Sequence, residues 1–246
     1  MTDRAPKVRL FVEADLGPGA VVALSEAQAR YLFAVMRLGP GDEVAAFNGR
    51  DGEWIARARP EGRRGGTLAA SRPGQPQRRP PDLWLLFAPI RKERTDFIVE
   101  KAAELGCARV VPVFTRRTGA ERLRLDRLRA HAIEAAEQCG ETWVPEVAEP
   151  ARLDAALDGW DPARRLMFCD ESRGARPAAE ALAGEARGAP WAILIGPVGG
   201  FASEEAARLL ALAFVRPVTL GPRILRADTA AVAAVTLWQA ALGDWG

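Results

Sequence analysis

The chain has 246 residues, with 34 basic and 32 acidic side chains, a formal net charge of +2 and 48% hydrophobic residues. That is enough apolar material for one large core or two modest ones, and too much for a disordered chain. No apolar run approaches the roughly 18–20 residues of a membrane span. The opening MTDRAPKVRLFVEADLG contains no apolar h-region, so the expectation is a cytoplasmic protein with no membrane partner.

Three cysteines, Cys107, Cys139 and Cys169, stand 32 and 30 residues apart. This spacing fits neither a disulfide framework nor a zinc site and suits a reducing compartment. The single histidine, His131, excludes a His-rich metal cluster and argues against a Ser–His–Asp triad, so no metal is expected. Of the 34 basic residues, 31 are Arg and three are Lys. A high-GC genome produces that skew. The planar guanidinium also suits phosphate, and the skew alone does not decide between the two.

In chain order, VRLFV (8–12) and AVVAL (20–24) are strand-like. Ser25 and Gln28 have capping-box spacing ahead of a short helix, ARYLFAVMR. EVAAF, a tight turn at Asn48-Gly49 and EWIARAR form a hairpin, with Trp54, Ala56 and Ala58 alternating as on a half-buried strand. Several short strands in about 70 residues predict a small β-barrel over 1–73. RPGQPQRRPPD, Arg72 to Asp82, holds four prolines and no apolar periodicity. It reads as a linker, 74–82, ahead of a second domain at 83–246.

The second domain alternates strands and helices. LWLLFAPI is a buried strand. Thr95 is placed to cap a helix that buries Phe97, Ile98, Ala102 and Leu105 and stops at Gly106. ARVVPVFT follows, then a helix through Leu125, Leu128, Ala132, Ala135 and Cys139 that stops at Gly140. RLMFCD, WAILIG and PVTLG are further strands. Ser203 is placed to cap one helix, and TAAVAAVTLWQAAL is a final helix that is apolar almost all round. The pattern predicts an α/β domain with a mainly parallel sheet.

Two segments carry chemistry. In ILIGPVGGFASEE a buried strand runs into Gly196-Pro197-Val198-Gly199-Gly200 and then a helix. Glycines at a strand end let the backbone approach a ligand. The pattern is GPxGG rather than GxGxxG, and Glu204 and Glu205 at the helix start repel phosphate. A phosphate-free ligand, even a cationic one, is favoured over a dinucleotide; a purely structural turn is the plain alternative. In VTLGPRILRADTAAVAA, Gly221-Pro222 turns the chain, apolar Ile224 and Leu225 sit between Arg223 and Arg226, and Asp228 and Thr229 are placed to cap the last helix. Ile224 and Leu225 either line a flat pocket for an aromatic ring or pack on the core.

Together these segments resemble the RsmE family of SPOUT methyltransferases, the 16S rRNA uridine-N3 methyltransferases. VRLFV, VMRLGPGDEVAAFNG, RKERTDFIVEKAAELG, AAEQCGETWVPEV, LIGPVGG and LGPRILRADTAA follow in the family's order along nearly the whole chain. Three positions depart from the family pattern. Val198 stands where GPEGG has an acid, Asp228 where Glu usually precedes the Thr, and no histidine lies near Tyr31. The resemblance implies a PUA-like β-barrel followed by an α/β domain with a deep trefoil knot. It also implies a homodimer, S-adenosylmethionine (AdoMet) as methyl donor, and N3 of a uridine in 16S rRNA of the small ribosomal subunit as acceptor. Two other readings remain, a knot-fold RNA-binding assembly factor without catalysis and a SPOUT enzyme acting on another RNA position.

On this resemblance the donor is held by Leu194, Gly196, Pro197, Gly199 and Gly200 in one loop. Leu220, Gly221, Ile224 and Leu225 hold it in the other, with Leu220, Ile224 and Leu225 against the adenine. Uridine N3 carries a proton and is a poor nucleophile until it leaves. Arg226 is the candidate to stabilise the developing uracil anion. Asp228 is the candidate base, with helix capping as its simpler role. Arg9 and Arg37 in the first domain, and Arg91, Lys92, Arg94 and Arg116 in the second, are the candidate RNA contacts. The arginines after residue 120 have a solvated helix face as their plain reading.

Overall fold

A computed structural model describes residues 6, 8–62, 64–119, 122–170 and 174–246. The chain divides into two units, Met1–Arg79 with Ala136–Val144, and Pro80–Ala135 with Pro145–Gly246.

The first unit is a barrel-like mixed sheet with strand order β1-β3-β4-β5-β2. Its strands are β1 (Arg9–Phe11), β2 (Val21–Ala23), β3 (Glu43–Phe47), β4 (Glu53–Glu61) and β5 (Gly65–Pro73). β1 runs parallel to β3, and the other pairings are antiparallel. The Asn48-Gly49 hairpin forms as the sequence indicates, with Gly49 at φ +76°. A register shift between Ile55 and Ala56 turns Ile55 inward beside Ala56 and Ala58, which breaks simple alternation. Helix α1 (Glu26–Ala29) carries the expected capping box on Ser25 and Gln28. The predicted short helix then widens into a π-helical segment, Arg30–Val35, and the chain leaves it through Arg37 at φ +57°. The core joins Val8, Leu10, Val12, Leu32, Val44 and Leu68.

The second unit contains β6 (Leu83–Phe87), α2 (Lys92–Glu104), β7 (Arg109–Phe114), α3 (Leu125–Cys139) apart from its last turn, which belongs to the first unit, β8 (Glu146–Val147), β9 (Ala151–Arg152), α4 (Leu153–Asp158) and β10 (Arg165–Cys169). There follow β11 (Arg176–Pro177), α5 (Ala178–Leu182), β12 (Trp191–Ile195), α6 (Ser203–Ala211), β13 (Val215–Thr219) and α7 (Ala227–Leu242). The sheet order is β11-β13-β10-β12-β6-β7-β8, with β9 also pairing β7, and all these pairings are parallel. Parallel strands bring their carboxyl ends to one edge, and that edge carries the site.

Three helix starts differ from the sequence reading. α2 begins at Lys92 with Arg91 as cap residue, three residues before Thr95. The Thr95 hydroxyl instead turns back on Ile90, accepting its N–H at 3.0 Å and donating to its carbonyl at 3.2 Å. The earlier start rotates the buried face to Ile98, Val99, Ala102 and Ala103, and leaves Phe97 exposed. α6 is capped at Ala202, whose N–H is accepted by Glu205 Oε2 at 2.9 Å. α7 begins at Ala227 with Arg226 at the cap, so Asp228 lies in the first turn and does not cap. Its carboxylate is drawn instead to a cation from α2. α7 packs on α2 and α5 and buries Ala231, Ala234, Val235, Trp238 and Leu242.

Candidate active site

The sheet places β13, β10, β12 and β6 side by side. Over their carboxyl ends lies a cavity of about 460 Å³, within the size range of small-ligand sites. Each strand contributes the residues that follow it. β12 supplies Ile195, Gly196, Pro197, Val198, Gly200 and Phe201. β13 supplies Thr219, Leu220 and Gly221, then Arg223 to Asp228, and Ala230 from α7. β10 supplies Cys169 and Asp170, and the segment after β6 supplies Ile90, Arg91 and Arg94.

The two glycine loops hold their shape for definable reasons. Gly221 sits at φ +116°, a conformation that strains any residue with a Cβ. At Gly196 a Cβ would stand 2.6 Å from Phe201 Cε2, so glycine here lets the Phe201 ring close over the strand end. That ring packs edge-on against Phe168 with centroids 5.2 Å apart.

The polar wall is built around Asp228. Its Oδ2 accepts from Arg94 Nη1 at 2.6 Å, while its Oδ1 is buried and has no partner among the described residues. Arg226 is exposed at the cavity wall. Burial pushes the Cys169 thiol up to about 12, so it stays protonated at neutral pH. Ile224, at 72% exposure, and Val198, at 84%, stand at the cavity with their apolar side chains in solvent. Ile224 therefore does not pack on the core; Leu225 is half-buried.

The structure thus gathers Gly196, Pro197, Gly200, Leu220, Gly221, Ile224, Leu225, Arg226, Asp228, Arg91 and Arg94 around one cavity. It does not bring in four others. Leu194 is fully buried in the sheet core, in register with Leu86 and Phe168. Gly199 lies outside the cavity lining and accepts from Arg117 Nη1 at 2.8 Å through its carbonyl. Lys92 lines a neighbouring cavity. Arg116 is held by α6: its N–H donates to Glu205 Oε1 at 2.8 Å and its guanidinium to Glu204 Oε2 at 3.0 Å.

In the first unit Arg37 is exposed. Arg9 is 14% exposed and bonds Glu53 Oε2 and the carbonyls of Ala136 and Glu141, at 2.9, 2.8 and 2.8 Å. It fastens the fold and does not present donors to a ligand.

Sequence reasoning missed Ile90, Cys169, Asp170 and Phe201 as wall residues. The sequence signal was a strand ending in Cys-Asp, RLMFCD, but only the sheet order shows that β10 lies between the two glycine-loop strands.

The profile of the RNA methyltransferase domain family matches residues 77–239, and that of the RNA methyltransferase PUA domain matches 24–58. Ribosomal RNA small subunit methyltransferase E of Synechocystis is 30% identical over 237 residues, covering 95% of this chain and 78% of the relative. The chain belongs to the RsmE family of RNA methyltransferases. The RsmE-family relative from Rickettsia conorii is 25% identical over 232 residues, covering 92% of this chain and 93% of the relative. A methyltransferase from Legionella pneumophila, solved in complex with the bound cofactor S-adenosylmethionine, superposes with a TM-score of 0.87 at 27% identity, covering 96% and 98% of the two chains. The RsmE of Neisseria gonorrhoeae, solved bound to S-adenosylmethionine, gives 0.86 at 25% identity, covering 97% and 99%. The second unit is accordingly a SPOUT-type α/β domain and the first a PUA-like one.

Proposed function

We propose that this chain transfers a methyl group from AdoMet to N3 of a uridine in 16S rRNA of the small ribosomal subunit. One observation carries the reading: two glycine loops and the Arg94–Asp228 pair converge on a single cavity at the carboxyl edge of the sheet. The wall suits this donor on its own chemistry. Backbone at Gly221 is open, with nothing within 4 Å of an added Cβ, and Leu220 and Leu225 offer an adenine apolar contact.

When bound, AdoMet supplies an electrophilic methyl group. The protein's task is to make uracil N3 nucleophilic. Asp228, oriented by Arg94, has an unpartnered oxygen to accept the N3 proton. The Arg226 guanidinium stabilises the negative charge left on the uracil ring. As the N3–carbon bond forms, the donor's sulfur–methyl bond breaks, giving S-adenosylhomocysteine and N3-methyluridine.

RNA contacts are assigned to Arg91 at the cleft, to Lys92 in the neighbouring cavity and to Arg37 in the PUA-like unit, while Arg94 anchors Asp228. Arg9 is engaged within the fold and is left out; Arg116, exposed and paired with Glu204 at the surface, stays a candidate contact. The trefoil knot, a homodimer through the half-buried face of α7 and a cytoplasmic location complete the reading. Mass-spectrometric mapping of rRNA from a strain lacking this gene tests it. Loss of one N3-methyluridine from 16S rRNA, restored by the gene, is the expected result; an unchanged uridine profile would refute it.

A further inference from the structure

A second cavity, of about 550 Å³, lies beside the first over the ends of β12, β6 and β7. The two share Ile90, Arg91, Pro197 and Val198 as a common wall. Among the described residues, six cations line the second cavity, Arg91, Lys92, Arg117, Arg122, Arg124 and Arg127, against one carboxylate, Asp96. Three are engaged internally: Arg117 with the Gly199 carbonyl, Arg124 with Asp126, and Arg127 with Asp96. Among the described residues, the side chains of Arg91, Lys92 and Arg122 make no ion pair or hydrogen bond. α2 also starts at this wall with no side-chain cap, so the positive end of a 13-residue helix adds to their field. Between the cations the wall is aliphatic, from Pro89, Leu123 and Leu128.

Unpaired cations around an aliphatic wall match one nucleotide, its base against the carbon surface and its phosphate on the guanidinium. Asp228, Arg226 and the second glycine loop line only the first cavity, so the second has no means of methyl transfer. We propose that the second cavity binds the nucleotide adjacent to the methylated uridine. Arg91, in the shared wall, holds the phosphate between the two nucleotides, and Arg122 and Lys92 hold the next one. Two neighbouring bases seated in separate pockets cannot remain stacked in a helix. The substrate class is therefore a single-stranded RNA segment with two consecutive nucleotides splayed apart. This inference rests on the methyl-transfer reading above.

The test uses the full chain loaded with AdoMet and a fluorescent five-nucleotide oligouridylate, titrated across a salt series. The variants are Arg122→Gln, Lys92→Gln and the double substitution. Arg129→Gln is the control, since Arg129 is exposed on α3, pairs with Glu149 and lines neither cavity. The double variant is expected to bind the oligonucleotide at least tenfold more weakly, with a log–log salt slope shallower by about 1.4, two single-strand phosphate contacts' worth. AdoMet affinity by calorimetry stays unchanged, and Arg129→Gln keeps the wild-type slope. A wild-type slope in the double variant, or an equal loss in the Arg129 control, would overturn the flanking-nucleotide site alone. Failure of the wild-type chain to bind AdoMet would overturn the methyl-transfer reading and this site with it.

Discussion

Arg94 Nη1 and Asp228 Oδ2 meet at 2.6 Å across the cavity wall, joining the first turn of α2 to the first turn of α7. One carboxylate oxygen is thereby fixed and the other is left buried without a partner among the described residues. An orphaned buried acceptor is costly, and at a functional site it marks where a donor belongs. In the proposed reaction that donor is uracil N3–H, reached when the carboxylate turns its free oxygen toward the cavity. Asp228→Asn is expected to keep AdoMet affinity within a few-fold while single-turnover methylation falls by about 10²-fold or more, the usual scale for losing a general base. Arg94→Ala leaves the carboxylate without its anchor and is expected to cost less than Asp228→Asn. The double variant should cost about as much as Asp228→Asn alone, because Arg94 acts through the carboxylate. Additive losses would show that the two residues serve separate roles.

Gly196 tests the loop independently of the chemistry. A Cβ there would lie 2.6 Å from the Phe201 ring, which is itself packed against Phe168. The ring cannot retreat without opening that contact, so Gly196→Ala is an overpacking change costing about 1–3 kcal/mol. Urea unfolding should show the loss of stability, and calorimetry should show weaker AdoMet binding. A variant of unchanged stability and affinity would mean that Phe201 moves freely and does not shape the cavity.

The site was more legible in the sequence than the sheet that carries it. The glycine loops stood out because a Gly-Pro turn straight after an apolar strand marks a sharp change of direction at a sheet edge, and both loops meet at the cavity. The hairpin at Asn48-Gly49 and the Ser25–Gln28 capping box were readable for a similar reason, that each is a local device with its own side-chain signature. β5 was not readable. GGTLAASRP is poor in β-branched and aromatic residues, and it becomes a strand by pairing with β4 and β2 on either side. Arg9 and Arg116 show the limit for charged residues. Their sequence context matched an RNA-contact pattern but did not show their partners in the fold, which lie 44 and more residues away in the chain. Asp228 read as a helix cap because Asp suits that position. Its true partner, Arg94, is 134 residues distant and visible only in the fold.

Cys169 reports on the state of the cavity wall. Burial pushes its thiol up to about 12. At pH 8 only about one molecule in 10⁴ then carries the thiolate, the form that alkylates. Cys107 is buried and raised to about 12 in the same way, whereas Cys139 is exposed. Iodoacetamide at pH 8 is therefore expected to label Cys139 first, Cys169, half-buried at the cavity wall, much more slowly, and Cys107 only on unfolding, as read by peptide mass spectrometry. Labelling of Cys169 at the rate of Cys139 in the folded protein would show that the wall does not hold its thiol protonated.

Arg226 separates catalysis from donor binding. It is the cap residue of α7, its backbone carbonyl accepts from Ala230 N–H at 2.7 Å, and its side chain is exposed at the cavity. AdoMet is cationic at sulfur, so a nearby guanidinium gives that part of the donor no attraction. In the proposed reaction the uracil ring acquires negative charge only as N3 loses its proton, and only then would Arg226 gain a strong partner. Its contribution therefore falls mainly in the transition state. Arg226→Ala should lower kcat and kcat/KM together, by about 10²–10³-fold, the range found for removing one such donor elsewhere. The AdoMet dissociation constant should change little, because the helix start is held by the backbone carbonyl, which the substitution keeps. If Arg226 merely ordered the loop, donor affinity would collapse along with turnover. Measuring the dissociation constant and single-turnover methylation on the same variant distinguishes the two, and near-wild-type turnover would remove Arg226 from the mechanism and leave Asp228 to carry it.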